Sequence, residues 1–84
     1  MNSNDWIAAY NEEALLADGF EEALIGICER AGQDPIAVYD RAKCLNILIS
    51  RDGMSKEEAQ EYFEYNIVGS DMGENTPGFI TFIS

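Results

Sequence analysis

The sequence predicts a small α+β domain, in which a β-hairpin and a short C-terminal strand pack against two or three helices. Three features predict it. Two β-prone runs, Ala23-Leu24-Ile25-Gly26-Ile27-Cys28 and Ile36-Ala37-Val38-Tyr39, flank a turn cluster, Ala31-Gly32-Gln33-Asp34-Pro35. Two amphipathic segments then follow each other with a connection of only ~3–4 residues, which makes neighbours of the two helices. The end of the chain, Phe79-Ile80-Thr81-Phe82-Ile83-Ser84, is β-prone and apolar on both faces. At 84 residues the chain is one domain, residues 1–84. A domain of this size buries somewhat more than ~60% of its unfolded surface, enough for one modest core.

The first element expected is a helix in the first part of residues 5–17. Trp6 and Tyr10 have helical spacing, and Asp18-Gly19 makes a stop. Residues 1–17 then form a loosely attached N-terminal helix. Leu15-Leu16 also suits the start of an extended segment, so the pattern leaves residues 12–28 open between helix and strand. For 23–28 the strand is preferred. Gly26 lies inside the run, where a helix would lose ~1 kcal/mol relative to Ala, and a turn and a second β-prone run follow.

Asp40 reads as the N-cap of a helix over 41–51. Ala42, Leu45, Leu48 and Ile49 point inward, with Cys44 and Ile47 on the margins. After Arg51-Asp52-Gly53-Met54, Ser55 and Glu58 form a capping box. The helix that it opens carries Ala59, Tyr62, Phe63, Asn66 and Ile67 at three- and four-residue spacing, one buried stripe, and stops at Gly69. A loop rich in turn residues, 70–78, leads to the last strand.

Charge is the strongest compositional feature: the formal net charge is −11. Residues 1–29 hold seven acids and no base, and residues 57–84 hold six acids and no base. Arg30, Arg41, Lys43, Arg51 and Lys56 supply all the positive charge, between residues 30 and 56. Direct binding to a nucleic-acid backbone is disfavoured, because affinity there comes largely from Lys and Arg. An acidic surface favours basic protein surfaces, or serves solubility. No apolar run approaches the ~20 residues of a membrane span, and the polar, acidic N-terminus has no basic region of a secretory signal. The expectation is a cytoplasmic protein without a membrane partner.

The chain contains no histidine, which removes the commonest general base and metal ligand. No phosphate loop or zinc-protease pattern occurs. Cys28 and Cys44 are too few for a metal cage and read as free thiols packed as small apolar groups. Glu57, Glu61 and Glu64 fall on nearly one helical face, which is more often a solvated face than the desolvated pair that acid–base work requires. Asp71, Glu74 and Asn75 offer oxygen ligands, but outside any calcium-loop pattern. Asn66, on the apolar stripe, is expected to be a buried amide holding the Gly73, Glu74, Thr76, Pro77 loop against its helix. Tyr65 points outward as an interface anchor. The expectation is no enzyme, no catalytic or metal-binding residue and no cofactor.

One resemblance adds to these residues. The run Ala17-Asp18-Gly19-Phe20-Glu21-Glu22-Ala23-Leu24-Ile25-Gly26, then Val38-Tyr39-Asp40, then Gly53-Met54-Ser55, Glu58-Ala59 and Glu61-Tyr62-Phe63-Glu64-Tyr65-Asn66, then Gly73-Glu74 and Thr76-Pro77, resembles a family of small uncharacterised proteins of tailed bacteriophages and prophages. It covers residues 17–80, and Ser70-Asp71-Met72 departs from the more apolar loop of that family. The family brings no activity to carry over. It implies a phage accessory protein acting in the host cytoplasm. With the acidity, it leads to the expectation of a host protein with a basic surface as partner, contacted by Glu57, Glu61, Glu64 and Tyr65. In the sharpest form the chain mimics nucleic acid and inhibits a host nucleic-acid-binding or defence protein. The alternative is an assembly module that self-associates through residues 79–83.

Overall fold

The computed structural model of the chain describes residues 3–69 and 73–83. It is an α+β domain with a three-stranded mixed sheet in the order β1-β2-β3. Strand β1 (Leu24–Arg30) and strand β2 (Gln33–Asp40) form the expected antiparallel hairpin. Its turn is tighter than the sequence suggests: Ala31-Gly32 alone make it, with Gly32 in the left-handed region at φ 73°. Gln33, Asp34 and Pro35 therefore begin β2. Pro35 is tolerated there because it falls in the register shift between the Cys28–Ile36 and Arg30–Gln33 pairs, where the ladder with β1 is interrupted, and β3 (Gly78–Ile80) pairs with β2 only from Val38 onward. Strand β3 runs parallel to β2, with Val38 opposite Gly78 and Asp40 opposite Ile80. The ladder of β1 is irregular between Leu24 and Gly26 and again between Cys28 and Arg30. Such irregularities blunt the free edge of β1 as a template for further strands.

Helix α1 is Ser3–Tyr10, in keeping with a helix in the first part of 5–17, and it does not extend to residue 17. From Asn11 the chain is not helical until a single 3-10 turn at Glu21–Ala23. Ile7 is buried in the core. Helix α2 (Arg41–Asp52) starts as its cap residue demands: Asp40 Oδ1 accepts a hydrogen bond from the Ala42 N–H at 2.9 Å. Its buried centre is Cys44 and Leu48. Leu48 is inward as expected, with Leu45, Ile47 and Ile49 half-buried against the core; the corrections are Cys44, fully buried and not marginal, and Ala42, which is exposed. Apolar residues surround most of this helix, so periodicity gave its width but not its centre. Cys28 and Cys44 are free thiols, Cys44 the fully buried one.

Helix α3 (Lys56–Phe63) opens with the predicted capping box. The Glu58 N–H donates to Ser55 Oγ at 3.2 Å, and the Ser55 N–H donates to Glu58 Oε1 at 3.1 Å. At Glu64 the helix widens into a π turn, Glu64–Val68, closed by the Gly69 N–H bonding to Glu64 O at 2.9 Å. A Cβ on residue 69 would lie 2.9 Å from Glu64 O and 3.0 Å from Tyr65 O, so only glycine fits this exit. Gly69 thus ends the helix by close approach, at φ −73°, and not by a left-handed cap.

The core gathers Ala37 and Tyr39 of β2, Cys44 and Leu48, Ala59 and Phe63, with Ile7, Phe20 and Ala23 closing its edge. Phe79 of β3 completes it. Its ring lies 5.7 Å from Tyr39 and meets Phe63 edge-on at 5.0 Å. The buried Tyr39 hydroxyl is not orphaned, because the Ala17 N–H donates to it at 2.8 Å.

The π turn breaks the stripe read from the sequence. A wider turn advances each residue by a smaller angle, so the α-helical phase fails beyond Phe63. Ala59 and Phe63 are buried as expected, but beyond them Asn66 is exposed and Ile67 is only half-buried; Tyr62, which precedes the π turn, is exposed at the edge of the stripe. Asn66 is therefore not a buried clamp: its amide donates to Tyr62 O at 3.2 Å, within its own helix. Two other side chains hold the loop. Asn11 Nδ2 donates to Asn75 Oδ1 at 2.8 Å and to Pro35 O at 3.0 Å. Arg30 Nη2 donates to Glu74 O at 3.0 Å and to Asp34 O at 2.8 Å. Replacing Asn11 by Ala leaves the Pro35 carbonyl and the Asn75 amide without their partner. A loss of ~1–3 kcal/mol of stability is expected, read as a lower urea midpoint; an unchanged midpoint would show that water replaces the amide.

Candidate functional site

The acidic face grows out of α3. Its cap fixes the phase of the helix, and that phase buries Ala59 and Phe63 and leaves Glu57, Glu58 and Glu61 in solvent. Glu64, the third acid of the predicted row, is differently placed. It opens the π turn, and Arg41 Nη2 of α2 lies 3.2 Å from its Oε1. The row is thus two unpaired acids followed by an ion pair, not a uniform ladder of three. Tyr65, next to it, is 84% exposed, in keeping with an outward-facing aromatic.

The basic residues explain how so acidic a chain folds. Each arginine fastens a part of the structure. Arg30 holds the loop, as above. Arg41 pairs with Glu64 and covers the Phe63 ring, with the guanidinium carbon 5.0 Å from its centroid. Arg51 pairs with Asp52 at 3.0 Å, donates to Gly19 O at 2.9 Å and covers Phe20 at 5.3 Å. Lys43 and Lys56 are exposed. Three of the five cations are thus tied to partners within the fold, Arg41 and Arg51 each to an acid, with nearly half of the Arg51 side chain still in solvent. Like charges at this density repel. Raising ionic strength from ~0.01 M to ~1 M, which shortens the screening length from ~30 to ~3 Å, is expected to raise the melting temperature at pH 7. A lower melting temperature would mean that the arginine ion pairs outweigh the repulsion.

The perturbed titrations lie in the scaffold. Glu21 is held below the usual carboxylate range by backbone N–H bonds, its own and that of Gly19. Asp52 is lowered by its hydrogen bond from Arg51. Burial raises Tyr39 above its ordinary value against the bond from Ala17, and burial, followed by the Asp40 carboxylate, pushes Cys44 up to about 11. Among the described residues no three of Cys, Asp and Glu gather as a metal centre would require. No helix among them is long and apolar enough to cross a membrane. Ser70, Asp71 and Met72 lie outside the described residues, so of the expected oxygen-ligand set only Glu74 and Asn75 are described, and Asn75 Oδ1 accepts from Asn11.

Sequence reasoning did not anticipate a cleft of about 290 Å³ between the 15–20 segment and the α3–π element, floored by Leu16, Phe20, Ile67 and Phe79. Thr76 and Pro77 of the predicted clamp line it, and the exposed Tyr62 and Asn66 stand at its rim. The one local signal was an unplaced apolar pair, Leu15-Leu16. Glu74 and Gly73 belong instead to the turn that the Thr76 N–H closes on Gly73 O at 3.2 Å. Comparison with family models, with curated proteins and with solved structures finds no match to this chain.

Proposed function

We propose that the protein is a non-enzymatic accessory module that binds a protein with a basic surface through the exposed face of α3, with Glu57, Glu61 and Tyr65 as the contact and Glu64 at its margin. The observation that carries this reading is the exposure of Glu57, Glu58 and Glu61 on one side of α3, while Arg30, Arg41 and Arg51 are tied to partners elsewhere in the fold. The resemblance of residues 17–80 to phage-encoded proteins supports a host protein as the partner. Successive glutamates one helical turn apart are ~5–6 Å from each other, a separation of the order of backbone phosphates. This supports a nucleic-acid-binding groove as the surface occupied, and inhibition of its owner as the result. Affinity capture from a bacterial lysate tests the reading. Glu57→Lys with Glu61→Lys, which leaves the Arg41–Glu64 pair intact, is expected to lower capture by at least ~10-fold; undiminished capture of the same protein overturns it.

A second reading, self-association through residues 79–83, is favoured by the exposure of Phe82 (65%) and Ile83 (99%) beside the edge strand β3. Sedimentation at micromolar concentration decides it: a monomer, unchanged by Phe82→Ser with Ile83→Ser, excludes it.

A further inference from the structure

We infer that the cleft beside α3 receives an apolar side chain from a basic amphipathic helix of the partner. This inference rests on the proposed acidic contact face and specifies how that face is engaged. The cleft continues into a second, shallower depression of about 380 Å³, and the two share Tyr62 and Asn66. The shallow part adds Met54, Glu58, Glu61 and Tyr65. One continuous surface therefore runs from an apolar floor to an acidic rim, with Tyr62 and Asn66 between them.

Its dimensions and charge select the occupant. The deep part, about 290 Å³, is an open cleft and not an enclosed cavity. It suits one or two apolar side chains. Asp18, Glu58 and Glu61 are the charged residues of the two linings, and neither lining contains a base. A phosphate-bearing ligand is repelled, whereas Lys or Arg placed one helical turn from an apolar anchor is attracted. An amphipathic helix laid in a groove has that spacing, with anchors at i and i+4 and charge on the adjoining face. A second copy of this chain does not supply it. Its basic amphipathic segment is α2, whose apolar side is buried in its own core at Cys44 and Leu48, and each further copy brings more negative charge.

The test uses the whole chain, ¹⁵N-labelled, and a synthetic helical peptide of Ala, Lys and Leu with Leu at i and i+4 and Lys on the neighbouring face. Saturable binding is expected, with amide shifts at Leu16, Phe20, Ile67 and Phe79 together with Glu58 and Glu61. Changing both peptide leucines to Ala should weaken binding at least ~10-fold. So should Asn66→Arg, a substitution at an exposed rim position that leaves the core untouched. Changing the peptide lysines to Glu should abolish binding. Binding that ignores the leucine change, with shifts confined to the glutamate face, overturns the cleft while leaving the acidic contact face standing. Absence of binding by the Leu-Lys peptide also overturns the cleft. Loss of lysate capture in the Glu57, Glu61 variant remains the separate check on the contact face.

Discussion

Phe63→Ala is expected to remove ~3–5 kcal/mol of stability, the cost of emptying a fully buried aromatic position. Three elements converge on this ring. It belongs to α3, packs edge-on against Phe79 of β3 at 5.0 Å, and lies under the guanidinium of Arg41 from α2. Removing it leaves a void where the helices meet the sheet. It also takes from Phe79 its edge partner and from Arg41 the face that orients it towards Glu64. Domains of this size hold only ~5–15 kcal/mol in total, and each kcal/mol is worth ~4–8 °C of melting temperature. The variant should therefore melt more than ~12 °C below the parent, with a proportionally lower urea midpoint and an unchanged slope. Ile67→Ala, four residues on and half-buried, should cost distinctly less. Equal losses at the two positions would mean that the π turn, not Phe63, anchors α3.

The second large effect is alkaline. Cys44 lies fully buried with its thiol pushed up to about 11 from an ordinary 9.0. A group whose pKa is raised on folding contributes its full stability below the unfolded value and loses it as pH rises through the folded one. The loss should begin near pH 9 and continue to about 11. Two pH units at 1.36 kcal/mol each set an upper limit of ~2.7 kcal/mol. Tyr39, also raised by burial, extends the same trend above its ordinary 10.0. Urea midpoints should be level from pH 7 to 9 and then fall. Cys44→Ala, less stable at pH 7, should show a shallower decline; an identical decline would assign the alkaline loss to Tyr39 and to general repulsion.

These two sites also divide what could be read locally from what could not. The Asp40 cap and the Ser55–Glu58 box satisfy backbone groups within three residues of themselves, so composition at those positions was enough to place the starts of α2 and α3. The hairpin was legible because a turn between β-prone runs is also a local matter. Leu48 on the inner side of α2 was legible, but the burial of Cys44 and the exposure of Ala42 were not, since the choice among apolar faces depends on which one the sheet covers. Nor was the role of Asn66, because its place on the stripe assumed a regular α-helix through a stretch that widens into a π turn.

The acidic half of the candidate site followed from residue type and helical spacing alone, whereas the cleft required the fold. Its walls come from residues 15–20, 62–67 and 76–79, which meet only when β3 docks beside β2. The fasteners are equally non-local: Asn11 reaches across 64 residues to Asn75, Arg30 across 44 to Glu74, and Arg51 across 32 to Gly19. Short-range physics, in which a backbone donor is capped or a turn closed by its nearest neighbours, is written into consecutive residues and fixed the order of most elements here. Which face is buried, which cations fasten distant segments and where a groove opens depend on partners distant in the chain. Those choices were made only when the helices closed on the sheet.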